Sequence, residues 1–132
     1  MKQSVRTVLL VAAALLMMFG AFGYAFTVVP DLHGDLVEIG VRPSVLGVTV
    51  LNLYFAAIAR FAFALIVSAA AIQAIRGVPP QRMTLAVVAV IYTTFGIFAF
   101  SRSHNPHHLG PLAMGVLLAA ALAIPGSKRS LA

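Results

Sequence analysis

The chain contains no cysteine. That absence excludes a disulfide, a thiolate nucleophile, a cysteine-held iron–sulfur cluster and any palmitoyl or prenyl attachment. Acidic residues are almost as scarce. There are three, Asp31, Asp35 and Glu38, and all fall within residues 30–43. No long apolar run therefore holds a carboxylate, which argues against proton-driven transport, where an acidic carrier inside the membrane is the usual device. The four histidines lie outside the middle of every apolar run, so haem held inside a helical bundle is excluded as well. No phosphate-binding glycine loop, GxSxG or HExxH is present.

What the chain does have is apolar surface. It is 61% hydrophobic and 9% charged, with a mean hydropathy of +1.02. A soluble domain of 132 residues needs far more polar surface than this, so the excess must face lipid. The net charge is +6. A nucleic-acid partner would call for a clustered basic patch. Here the basic residues sit in short groups between apolar runs, which is the pattern of membrane topology, and no nucleic-acid partner is expected.

The order of runs predicts an all-α protein, an integral membrane four-helix bundle forming a single domain. Its spans fall at about residues 7–29, 51–75, 83–100 and 109–124. The first run is too long for the apolar core of a signal peptide and reads as a span. Pro30 is expected to end it. Residues 30–43 (PDLHGDLVEIGVRP) then form the first outer loop, with a short amphipathic surface helix ending at Gly40. Pro43 restarts the chain and Ser44 is expected to cap the next helix. Residues 44–76 hold no strong breaker except Gly47, enough for a helix of about 50 Å. Such a helix either tilts and projects or leaves 44–50 as a separate packed segment. Gly77-Val78-Pro79-Pro80 is a stiff turn, and SRSHNPHH at 101–108 is the second polar loop. Lys2, Arg6, Arg76, Arg82, Lys128 and Arg129 fall on one side, Arg42 and Arg102 on the other. The positive-inside rule makes the first side, with both termini, cytoplasmic, and places the chain in the inner (plasma) membrane as a multi-pass protein. Small residues mark expected close-packing faces: Gly20 with Gly23, and Gly115, Ala119 and Ala123.

The exceptional residue is Arg60, inside the second span. A charge at a helix centre costs about 2.5–3.5 kcal/mol on insertion scales. Asn52, Ala56, Arg60 and Ala64 are spaced by four and share a face that reads as turned inward. Arg60 admits three readings. It pairs with Asp31, Asp35 or Glu38 folded over the bundle. It hydrogen-bonds to Asn52, Tyr92, Thr93 or Thr94 and to backbone carbonyls. Or it binds the anionic head of a lipid, quinone-like or carboxylate ligand. A structural ion pair and a functional site weigh evenly. The aromatic residues Phe19, Phe22, Tyr24 and Phe26, with Phe95, Phe98 and Phe100, gather toward the outer ends. An interfacial belt is the favoured reading and the walls of an apolar pocket the alternative.

The topology also brings His33, His104, His107 and His108 to the outer side. His104 and His108 are four apart, as one face of a helical turn requires for zinc or copper, although Pro106 lies between them. Interfacial histidines that solvate the loop and cap the fourth helix are the plainer reading, and no cofactor is expected.

In its four spans, its short first outer loop (PDLHGDLVEIGVRP) and its polar-bearing second span (NLYFAAIAR), the chain resembles the small bacterial membrane proteins grouped as DoxX-like. The resemblance covers most of the chain. It implies a four-helix membrane fold and, through members of sulfur-oxidising quinone reductases, a redox-subunit role. It carries over no site residue. The functional expectation is a non-catalytic subunit or small-ligand or lipid binder. Membrane lipid and other membrane subunits, or further copies of the chain, are its expected partners. The rival expectation is an outward-facing enzyme or metal site that uses Arg60 with the histidine loop.

Overall fold

A computed structural model describes residues 2–125. Among the described residues every element is helical and no strand occurs. Helix α1 spans Lys2–Gly23. One π-helical turn, Tyr24–Val28, joins it to α2, Val29–Glu38. Helix α3 is Pro43–Ile75, α4 is Arg82–Ser103, and a 3-10 turn at Pro106–His108 leads into α5, Leu109–Ala123. Among the described residues four helical rods are long and apolar enough to cross a membrane: Lys2–Glu38, Pro43–Ile75, Arg82–Ser103 and Pro106–Ala123.

Pro30 does not end the first rod. Proline lacks an N–H, and its ring crowds the carbonyl four residues back, here that of Phe26. The π turn lies just ahead of it, and the Val29 N–H reaches the Tyr24 carbonyl five residues back. The widened turn makes room for the ring, and the helix runs on through Glu38. The amphipathic segment expected after Pro30 is therefore the last part of a continuous 37-residue rod. Its acids, Asp31, Asp35 and Glu38, are exposed.

Glycine ends the rods where it was expected to. Gly40 has φ +73°. Its N–H donates to the Val37 carbonyl at 3.1 Å, and the Val41 N–H donates to the Leu36 carbonyl at 3.2 Å. This is the left-handed helix stop that leaves glycine unstrained. Gly77 repeats the geometry at the end of α3, with φ +73° and the Val78 N–H on the Gln73 carbonyl. Helix α3 is one unbroken helix of 33 residues, so residues 44–50 are no separate segment. Its first residue is Pro43 and its N-cap is Arg42, with no side-chain cap, so Ser44 lies inside the first turn. The fixed φ of proline suits that first position and its missing N–H costs nothing there.

Packing is uneven. Helix α1 lies along α3, α4 lies along α5, and α1 against α5 joins the two pairs, whereas α3 and α4 touch sparsely. Leu10, Met17, Val67, Leu85, Val88 and Leu118 are fully buried in the core. The opposite faces carry Phe19, Leu51, Phe55, Val90 and Ile97, all exposed as a lipid-facing surface requires.

The tightest seam is α4 on α5. A Cβ added to Gly96 would lie 2.6 Å from the Leu112 backbone nitrogen. One added to Gly115 would lie 2.6 Å from the Thr93 backbone nitrogen and closer still to Thr93 Oγ1. The expected stripe Gly115, Ala119, Ala123 holds only at its first member. Ala119 and Ala123 are not buried, and the buried positions of α5 are Pro111, Gly115, Leu118 and Ala121. Each four-residue step overshoots a turn of 3.6 residues, so a strict spacing of four drifts off the contact within two steps. Gly20 meets Met114 of α5, whereas Gly23 has nothing within 4 Å of an added Cβ.

Gly115→Ala should lower the thermal unfolding midpoint in mild detergent by several degrees, because the clash is with backbone and overpacking costs about 1–3 kcal/mol. Gly23→Ala, at an open position, should leave the midpoint unchanged or raised. Equal midpoints for the two variants would refute the seam.

Candidate functional site

Where α3 and α4 stand apart, they leave an open-sided cavity of about 250 Å³. Ala56, Ala59, Arg60 and Phe63 of α3 form one wall, and Ile91, Tyr92 and Phe95 of α4 form the other. Tyr24, the first residue of the π turn, and Pro111 of α5 complete it. Phe63 and Tyr92 meet edge to face across the gap, with ring centroids 5.9 Å apart and planes at 80°. Both are closer than Arg60 to the helix ends at Ile75 and Arg82, so this contact forms the floor.

Among the described residues Arg60 is the only charged one in the lining. Its guanidinium carbon sits 4.0 Å from the centroid of the Tyr24 ring and 5.9 Å from that of Phe95. Among the described residues it has no carboxylate partner and no hydrogen bond. Two aromatic faces stand where an acid was one of the three expected partners. A cation over a ring is held by the ring quadrupole, and the attraction strengthens as water is removed. One face of the guanidinium is occupied in this way. Its N–H groups point along the plane, where stacking on a ring does not use them.

The residues proposed from sequence therefore scatter. Arg60 and Tyr92 line the cavity, and Ala56 joins them. Asn52, one turn beyond Ala56, is exposed, and Ala64, one turn in the other direction, is buried in the core. Thr93 faces Gly115 and Thr94 is exposed, so neither lines the cavity. Asp31, Asp35 and Glu38 stand exposed on α2. Tyr24, Ala59, Phe63, Ile91, Phe95 and Pro111 complete the site. Tyr24 and Phe95 belong to the aromatic groups visible in the sequence, but nothing there separates them from Phe19 and Phe98, which face outward.

The histidines do not converge. His33 is exposed on α2. His104 ends α4 in a left-handed conformation, with φ 52°, and its N–H donates to the Phe100 carbonyl at 2.8 Å. His107 and His108 lie in the 3-10 turn. The spacing of four between His104 and His108 therefore crosses a helix end and is not one helical turn. Among the described residues no three of His, Asp and Glu gather as a metal-binding group. The turn is capped by Asn105, whose side chain accepts from the His107 N–H at 3.0 Å.

The arrangement can hold an anionic or strongly polarised head group against Arg60 while its apolar remainder lies along aromatic and alanine walls. The low dielectric of those walls strengthens a charge-assisted hydrogen bond. No protein-family model, no curated protein and no solved structure matches the chain.

Because Arg60 leaves no carboxylate behind, Arg60→Leu should unfold at the same temperature as the parent or higher. Tyr24→Phe keeps the ring face and should be neutral. Tyr24→Leu should destabilise by about 0.5–2 kcal/mol in the parent and by less in the Arg60→Leu background, as a cation–π pair requires. A large loss of stability in Arg60→Leu would reveal an ionic partner and overturn the cation–π assignment.

Proposed function

We propose that the protein is a non-catalytic binder of a small amphiphile in the plane of the membrane, with the head group at Arg60 and the chain leaving between α3 and α4. The observation that carries this reading is a guanidinium in the lining of an apolar, open-sided cavity, stacked on Tyr24 and without a protein anion among the described residues. A cavity of about 250 Å³ lies below the usual range for enclosing a whole drug-sized ligand. It suits a head group and the first carbons of a chain whose remainder lies in lipid. The π turn supports the reading, because such turns recur at functional sites and this one carries Tyr24. Among the described residues the lining contains no carboxylate, histidine or serine, and the rings of its two tyrosines are packed, Tyr24 under Arg60 and Tyr92 against Phe63, which favours binding over reaction.

A long-chain carboxylate is the simplest ligand of this description. Native mass spectrometry of the detergent-purified protein should show palmitate bound, with affinity reduced about ten-fold or more in Arg60→Leu and less in Arg60→Lys. The corresponding alcohol should bind more weakly than the acid to the parent and equally to both proteins. Palmitate binding that ignores Arg60 would overturn the proposal.

In this reading both termini face the cytoplasm and the turns at 39–42 and 104–105 face outward, as the distribution of lysine and arginine favours. Arg60 then lies about 22 Å from the inner end of α3, in the outer half of the membrane. The absence of cysteine makes the orientation directly measurable. In intact cells Ser103→Cys should react with an impermeant maleimide, and Gln81→Cys should react only after permeabilisation. The reverse pattern would invert the topology.

A further inference from the structure

At the opposite end of the bundle a second arginine is buried more deeply than the first. Arg6 is 8% exposed. Its Nε and Nη2 are fully buried and have no hydrogen-bond partner among the described residues. These two atoms bear the N–H groups of one edge of the guanidinium, the fork that fits two oxygens of a single oxyanion. No acid is available at this end: all three lie within residues 31–38, on α2 at the far end of the first rod. A second cation stands close. Arg82, at the start of α4, is near enough for its charge to act on Arg6. Its Nη2 donates to the Leu122 carbonyl in the last turn of α5, so at least one of its nitrogens is already engaged. Lys2, one turn before Arg6 on the same helix, is exposed.

We propose that Arg6, with Arg82 beside it, holds a phosphate group at this end of the bundle. An isolated buried cation with two orphaned donors is unfavourable, and a second positive charge makes it more so. Both fork atoms are closed over by protein in this structure, so the Arg6 side chain must turn to admit an anion; one tetrahedral oxyanion then relieves both. It accepts from the free fork of Arg6, offers further oxygens toward Arg82, and neutralises the pair. Both arginines lie near rod ends, which a bundle crossing a bilayer would set at the headgroup layer, where phosphate is the abundant anion. Basic pockets between helix ends are a recognised setting for lipid headgroups. The site is separate from the Arg60 cavity: eighteen residues of helix between Arg6 and Tyr24 correspond to about 27 Å.

The phosphate could come from a phospholipid headgroup or from solution, and the measurement separates the two. Native mass spectrometry in mild detergent would follow dioleoyl phosphatidylglycerol, dioleoylglycerol as its phosphate-free counterpart, and inorganic phosphate, on the parent, Arg6→Gln, Arg6→Lys and Arg60→Leu. The parent should bind the phospholipid and not the diacylglycerol. Arg6→Gln should weaken that binding about ten-fold or more, and Arg6→Lys, which keeps the charge and loses the fork, by an intermediate factor. In the Arg60→Leu background the same dependence on Arg6 should persist. Inorganic phosphate bound with the same Arg6 dependence, alongside weak phospholipid binding, would assign the site to the free anion. Phospholipid binding unchanged in Arg6→Gln, or equal binding of the diacylglycerol, overturns the proposal. Should Arg6→Gln fail to fold, the parent alone decides: its unfolding midpoint must rise with phosphatidylglycerol or phosphate above a chloride control of equal ionic strength, and an unchanged midpoint refutes the site.

Discussion

In lipid, one apolar helix gains little by touching another, because the acyl chains it displaces are equally apolar. Helices close up where backbones can come near enough for van der Waals contact. The seam of α4 on α5 is where that condition is met most fully. Gly96 faces the backbone of Leu112, and Gly115 faces the backbone of Thr93, each with no room for a Cβ. The pair is drawn together there, and Met114 of α5 then meets Gly20 of α1. Among the described residues no glycine performs that service between α3 and α4. Those helices meet through the bulky rings of Phe63 and Tyr92, and above the rings they stay apart. The cavity is the consequence of where the glycines are absent as much as of what lines it.

The second constraint is the proline in the first rod. An ordinary helix would bring the ring of Pro30 against the carbonyl of Phe26. The π turn relieves that crowding, and in doing so it alters the register of everything before and after it. Tyr24 is the residue at which the change begins, and Tyr24 is the ring on which Arg60 rests. A backbone accommodation forced by one residue thus bears on the position of a side chain that serves another. The same turn lets α2 continue the rod, which carries Asp31, Asp35 and Glu38 along it and leaves them exposed.

The four spans were legible because their signal is additive. Every apolar residue in a run votes the same way, and Gly40 and Gly77 mark ends through a backbone preference that needs no partner. The site was legible only in its charged member. Arg60 stands out because charge in an apolar run is rare. The expectation of an acid, an amide or a hydroxyl beside it rested on polar residues that the topology brings to one end, and Tyr24 carries no such mark. Which of several aromatic side chains turns inward depends on helix phase, and a π turn shifts phase by an amount that spacing in the sequence does not display. The same limit explains Ala119 and Ala123, which keep the spacing of a packing stripe but have rotated off the contact. It also explains His104, where a left-handed residue breaks the turn that the spacing implies.

The two inner arginines show how one difficulty takes two forms. Arg60 is part-exposed and spends one face of its guanidinium on an aromatic ring, so it is tolerable without a ligand and remains able to take one. Arg6 has no ring assigned to it and keeps a whole hydrogen-bonding edge buried without a partner. Stacking on a ring satisfies charge but not hydrogen-bond geometry, and a carbonyl such as the one Arg82 reaches satisfies geometry but not charge. An oxyanion satisfies both at once. In a chain whose three acids all lie on α2, that anion has to come from outside the described protein at Arg6, whereas at Arg60 it is optional. Arg6 should therefore hold its ligand as a standing part of the structure, and Arg60 should exchange its ligand with the surrounding membrane.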